Sequence, residues 1–124
     1  MKIEGFFNIT DYSLTHNILL LRTTTVKNDE IVNTDLLFSS TFYLEIPTYF
    51  NDLLIENGGE SDCQYISKRC DAEFVDSLEP KDVFVLKTNE QRYFVGARKL
   101  EIITNSLRPG ETSIGVKKPK SDVD

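Results

Sequence analysis

Few residues in this chain have types and spacings that could do chemistry. His16 is the one histidine, and an imidazole titrating near neutrality is the usual general base or proton switch. It shares parity with Ile18 and Leu20 in an apolar run, with no carboxylate nearby in sequence to orient it. A neutral structural histidine donating to a backbone carbonyl is the simpler reading. Cys63 and Cys70 stand seven apart, wider than the usual cysteine pairs of zinc sites, and a single histidine cannot complete a Cys/His ligand set. On a helix both thiols face the same way, which suits two small core residues.

Carboxylates are plentiful. Asp71, Glu73, Asp76 and Glu79 could in principle supply the acid pair of a glycosidase. Their positions alternate with apolar ones, so a solvated helix face accounts for them. No Asp-x-Asp-x-Asp-Gly calcium loop, phosphate-binding glycine loop or G-x-S-x-G elbow occurs. The expectation is no enzyme, no cofactor and no metal.

One stretch has the composition of a contact surface. Tyr43, Glu45, Tyr49 and Asp52 surround Pro47, combining rings that anchor with acids that rim. Tyr49 and Phe50 are expected in a loop after the proline. With Asp71, Glu73, Asp76 and Glu79, these residues make up the expected partner-binding set.

Charge supports that emphasis. The 124 residues carry a net charge of −6, unevenly spread. Residues 45–82 hold ten Asp/Glu against three Lys/Arg, whereas 83–108 hold two against five. Such a chain is repelled by phosphate backbones and anionic lipid heads, so nucleic acid and membrane are disfavoured as partners. A basic protein is favoured. Small acidic inhibitors of basic nuclease toxins, of the immunity type, share this physical profile of charge and size. A ligand-binding or weakly enzymatic domain is the alternative, its pocket lying between sheet and helix, lined by Phe38, Phe42 and Phe94 with His16 or Tyr43 as polar handles. Self-association through an edge strand, giving a homo-oligomer, is a third reading.

The elements that must position these residues follow from periodicity. Residues 35–46 alternate strictly: Leu36, Phe38, Phe42, Leu44 and Ile46 on one parity, Asp35, Ser39, Thr41 and Glu45 on the other. That predicts a strand ended by Pro47. Residues 14–26 predict a central strand covered on both sides, joined to the next by a loose loop over 27–30. Residues 52–56 predict a short strand closed by Asn57-Gly58-Gly59. Cys63, Ile66, Cys70, Phe74 and Leu78 repeat at helical spacing after a Ser61–Gln64 capping box, predicting an amphipathic helix over 61–78; an Asn-Gly hairpin into a strand is the rival. Residues 82–88 and 92–97 predict a hairpin about Asn89-Glu90-Gln91. Its second arm is apolar through Ile103, and a straight strand over 92–104 would span about 43 Å. A bend at Gly96 resolves this.

The predicted order is strand, strand, strand, short strand, helix and a long hairpin with an extension. The fold expected is α+β: a curled antiparallel β-sheet of about five to six strands with one amphipathic helix, an all-β small barrel or sandwich being the alternative. One domain over 1–108 would be followed by a polar tail, 109–124. The N-terminus lacks an apolar signal core, the longest apolar run is Ile18-Leu19-Leu20-Leu21, and a cytoplasmic location with reduced thiols is expected.

Overall fold

The structure is a computed structural model describing residues 1–70, 78–111 and 114. Among these residues eight strands form one antiparallel sheet: β1 (Lys2–Ser13), β2 (Ile18–Lys27), β3 (Glu30–Ser39), β4 (Tyr43–Glu45), β5 (Tyr49–Asn57), β6 (Val83–Thr88), β7 (Gln91–Gly96) and β8 (Lys99–Asn105). Between β5 and β6 the described residues hold one helix, α1 (Glu60–Arg69), and a 3-10 turn, Pro80–Asp82. The sheet order is β4-β7-β6-β5-β1-β2-β3-β8. An α+β architecture of one antiparallel sheet and one helix is therefore present, with more strands than the five or six expected.

The extra strands come from corners. The alternating run 35–46 is not one strand, because Ser40 turns at φ 51° and separates β3 from β4. The long run after residue 91 breaks in the same place in space, at Ala97-Arg98, as the predicted bend at Gly96 required. The two corners are bonded to each other: the Arg98 amide donates to Ser39 O (3.1 Å) and the Phe42 amide to Gly96 O (2.9 Å). The sheet thus curls until its two ends, β4 and β8, meet at a shared corner. Gly96 allows a close approach there: a Cβ would lie 2.6 Å from the Phe42 ring, which would have to shift.

Several other boundaries differ from expectation. Residues 14–17 form the β1–β2 turn, with Asn17 at φ 53°, so β2 starts only at Ile18. The loop after β2 is tight, not loose: Asn28 and Asp29 both adopt positive φ, the geometry of a type I′ hairpin. Asn89 and Glu90 repeat it between β6 and β7. The short strand at 52–56 is the centre of a nine-residue β5 that takes in Tyr49 and Phe50. Helix α1 is capped at Gly59, whose amide donates to Asp62 Oδ2 (2.9 Å), rather than by Ser61. It ends at Arg69, with Cys70 extended; residues 71–77, which include Phe74 of the predicted stripe, lie outside the described residues.

Burial explains the curl. Phe7, Leu19, Leu21, Leu36, Phe38, Phe50, Ile55, Leu86 and Val95 form one cluster drawn from six strands, which requires the sheet to wrap around it. On the outer face α1 sets Cys63 and Ile66 against Val83, Val85 and Phe94. Both faces of β6 are therefore covered, which is why its sequence reads as an unbroken apolar run. The same holds for β2, where Leu19, Leu20 and Leu21 are all buried.

Candidate functional site

Site geometry is set by the sheet's short end strand. Among the described residues β4 is hydrogen-bonded as a strand only to β7, and on its other side stands the β1–β2 turn, tied to the corner by the Thr41 amide donating to Asn17 O (2.9 Å). Between the turn and β4 lies an open groove of about 670 Å³. Tyr12, His16, Phe42, Tyr43, Leu44 and Arg98 are among its lining residues.

His16 is therefore not a strand residue. It sits exposed in the turn, its amide held by Ser13 Oγ (3.3 Å). The apparent parity with Ile18 and Leu20 was a coincidence of counting across a turn. Arg98 forms an ion pair with the buried Asp82 (3.0 Å) and lies 5.8 Å from the centre of the Phe42 ring. Leu44 is 40% exposed and offers its isobutyl group to solvent.

Beside the groove, one carboxylate receives two phenols. Tyr43 Oη donates to Glu45 Oε1, and Tyr65 Oη donates to both carboxylate oxygens (3.0 and 2.9 Å). The Arg69 guanidinium lies 3.8 Å above the Tyr65 ring. Burial, reinforced by the bond to Glu45, pushes the Tyr43 hydroxyl well above the ordinary phenol range. Tyr65 is raised first by the Glu45 bond. Both stay protonated and act as donors, which ties α1 to β4.

The structure brings together only part of the expected partner-binding set. Tyr43 and Glu45 are adjacent. Tyr49 lies on β5, 60% exposed and stacked on Phe6 (5.7 Å between centroids). Asp52 accepts from the Gly5 amide (2.7 Å) and itself stands at φ 50°, fixing an irregularity in the β1–β5 pairing. Glu79 makes an exposed contact with Lys81 (3.6 Å). Asp71, Glu73 and Asp76 lie outside the described residues. Tyr12 and Arg98 in the groove and Tyr65 beside it have no signal in sequence, because nothing in their local pattern announces a groove assembled from three distant segments or a helix contact on Glu45.

The acids of the middle segment are also largely engaged. Glu56 meets Lys87 (2.8 Å), Asp62 meets Arg92 (3.2 Å) and Asp82 meets Arg98. Burial pushes the Asp62 carboxyl up, but the Gly59 amide and the Arg92 guanidinium outweigh it and hold it below its usual value. Glu56 is lowered by its bond to Lys87. Desolvation raises both thiols, Cys63 and Cys70, which are free and inward-facing, unlike activated nucleophiles.

Among the described residues no group of three or more His, Cys, Asp or Glu is placed to hold a metal ion. None of their helices is long and apolar enough to cross a membrane. Phe38 and Phe94 do not share one cluster: Phe38 belongs to the inner core and Phe94, with Phe42 beside it, to the cluster under α1. No family model matches the chain, and neither a curated protein nor a solved structure matches it.

Proposed function

We propose that this protein is a non-enzymatic binding domain that takes an extended segment of a protein partner into the groove beside β4. The observation that carries the reading is the coincidence of an end strand, paired on one side only among the described residues, with a groove along its other side. Strand addition at such an edge draws affinity from main-chain hydrogen bonds and selectivity from side-chain pockets. Tyr12, Phe42, Tyr43 and Leu44 supply apolar and aromatic surface, and His16 and Arg98 supply polar contacts. Aromatics and arginine are the residues on which binding energy concentrates.

The net charge of −6 adds long-range attraction to a basic partner. Because most described acids of the middle segment already have partners, charge sets the rate of encounter and the groove sets the contact. An inhibitor of a basic toxin is one form such a binder takes. The second reading, a small-molecule ligand held by His16 and Tyr43, uses the same groove, whose volume falls in the range of about 300–1,000 Å³ typical of ligand sites.

Selection of displayed peptides against the protein tests this. Peptides should be enriched whose binding is lost in Leu44→Arg and His16→Glu and kept in Val26→Arg, an exposed change on the distant β2–β3 hairpin. Added salt should slow their association. If Leu44→Arg binds every selected peptide as well as wild type, the groove is not the contact.

A further inference from the structure

A second cavity lies on the outer face of the sheet, sharing no lining residue with the β4 groove. Its floor is built around a buried ion pair. Arg22 and Asp35 are register partners on β2 and β3, 6% and 0% exposed. Arg22 Nε donates to Asp35 Oδ1 (2.6 Å) and Nη2 to Oδ2 (3.0 Å). Asn105 on β8 donates to Asp35 Oδ2 (2.8 Å), and Asn33 donates to Asn105 Oδ1 (2.8 Å). The chain after β8 is then drawn back over this network: Asn33 donates to Leu107 O (2.9 Å) and Arg22 Nη1 to Glu111 O (2.7 Å). Residues 106–111, up to the start of the expected polar tail and three residues into it, are thereby a strap across the sheet. Beside it remains a space of about 330 Å³.

The lining chooses a ligand class. Arg22 is matched by Asp35, so it adds no net charge, and the other lining side chains are uncharged. Asn8, Thr10 and Thr24 present an amide and two hydroxyls; the Thr24 hydroxyl donates to Asn33 Oδ1 (2.7 Å), so its oxygen is left to accept from a ligand, as is that of Thr10, while Asn8 and Arg22 supply the donors. The Thr10 hydroxyl donates to Asn8 Oδ1 (3.2 Å), which leaves the Asn8 amide hydrogens facing no acceptor among the described residues. Arg22 has five N–H groups, of which three are engaged there. At the rim Phe6 is 52% exposed and stacked with Tyr49, a flat apolar platform. Alternating donors and acceptors beside an exposed ring fit a molecule with many hydroxyls on one side and C–H groups on the other.

We propose that this cavity binds a neutral, polyhydroxylated ligand of monosaccharide size, stacked on Phe6 and hydrogen-bonded by Asn8, Thr10, Thr24 and Arg22. A charged ligand would find no uncompensated counter-charge in the lining and would lose its hydration for nothing in return.

Titration of the isotopically labelled protein with glucose, galactose, N-acetylglucosamine and maltose, followed by amide chemical shifts, tests this. At least one of these should shift Phe6, Asn8, Thr10 and Thr24 while leaving Leu44 unmoved. Asn8→Ala, an exposed change that does not touch the core, should weaken that sugar about three- to tenfold, and Phe6→Ala should weaken it similarly. The proposal is overturned if none of the four sugars moves these residues, or if the shifts fall on the β4 groove instead. It is also overturned if glucose 6-phosphate binds there more tightly than glucose.

Discussion

Two residues show how much of this fold rests on single side chains. Gly5 stands at φ 130°, a conformation that side chains rarely adopt, and a Cβ there would lie 2.4 Å from Thr23 Oγ1. Gly5→Ala should therefore destabilise the protein by about 1–3 kcal/mol from backbone strain, with the clash added; urea unfolding measures it. Asp35 is the other. Asp35→Ala would leave the Arg22 guanidinium buried without its counter-charge and remove the acceptor used by Asn105. The expected loss is about 3–5 kcal/mol. If urea unfolding shows Asp35→Ala within about 1 kcal/mol of wild type, the guanidinium has another way to be satisfied and the strap is not held as described. Replacing both partners by apolar residues should cost less than replacing either alone, since the penalty lies in the uncompensated charge and not in the absence of the pair.

At the scale of elements, α1 and its neighbours contribute to the acid limb of the stability curve. Asp62 accepts from Gly59 at the helix start and from Arg92 on β7; Glu56 on β5 meets Lys87 on β6. Both carboxyls are held below their unfolded values. A group of this kind contributes stability that is present above its unfolded pKa of about 4 and lost as pH falls through its folded value. Thermal unfolding should thus lose midpoint temperature between about pH 5 and pH 2, and Asp62→Asn should flatten that limb. An unchanged acid limb in Asp62→Asn would assign it to other carboxylates. The same elements show what was readable in advance. The apolar runs of β2, β6 and β7, the reversal at residues 89–91 and the bend at Gly96 follow from side-chain pattern and glycine placement alone. The corner at Ser40 did not, because alternation continues in phase across it: Phe42 and Leu44 keep the parity of Leu36 and Phe38 although the backbone has turned. Helix capping was displaced for a related reason. Ser61 has the right type, but the backbone amide nearest a carboxylate is Gly59, and Asp62 reaches it. Of the candidate site, Tyr43 and Glu45 were legible as aromatic and acid two residues apart on one strand. Tyr12, His16 and Arg98 join them only through long-range pairing that no local pattern encodes.

For the molecule as a whole, the decisive feature is the corner where the curled sheet brings its ends together, because it is also a wall of the proposed contact groove. Gly96 packs against both functions. An added Cβ would meet the Phe42 ring atoms at 2.6 and 2.8 Å and the Cβ of Tyr43 at 3.1 Å. The ring is the far end of a side chain and half-buried, so it can swing aside at modest cost, whereas the Tyr43 contact requires only a few tenths of an ångström from the backbone of β4. Gly96→Ala should therefore cost about 1–3 kcal/mol, the range for overpacking a filled site, and leave β1, β2 and β3 intact. Its effect on the groove should be proportionately larger, since Phe42 forms part of the lining and the displaced ring enters the space where a partner strand would lie. Hydrogen exchange should show faster opening confined to amides of β4 and β7, and peptides selected against the wild-type groove should bind the variant at least about tenfold more weakly, a change of about 1.4 kcal/mol. Uniformly faster exchange across all eight strands would mean that the corner holds the entire sheet closed rather than one end of it. Unaltered peptide affinity would separate the corner from the contact surface and remove Phe42 from the binding site.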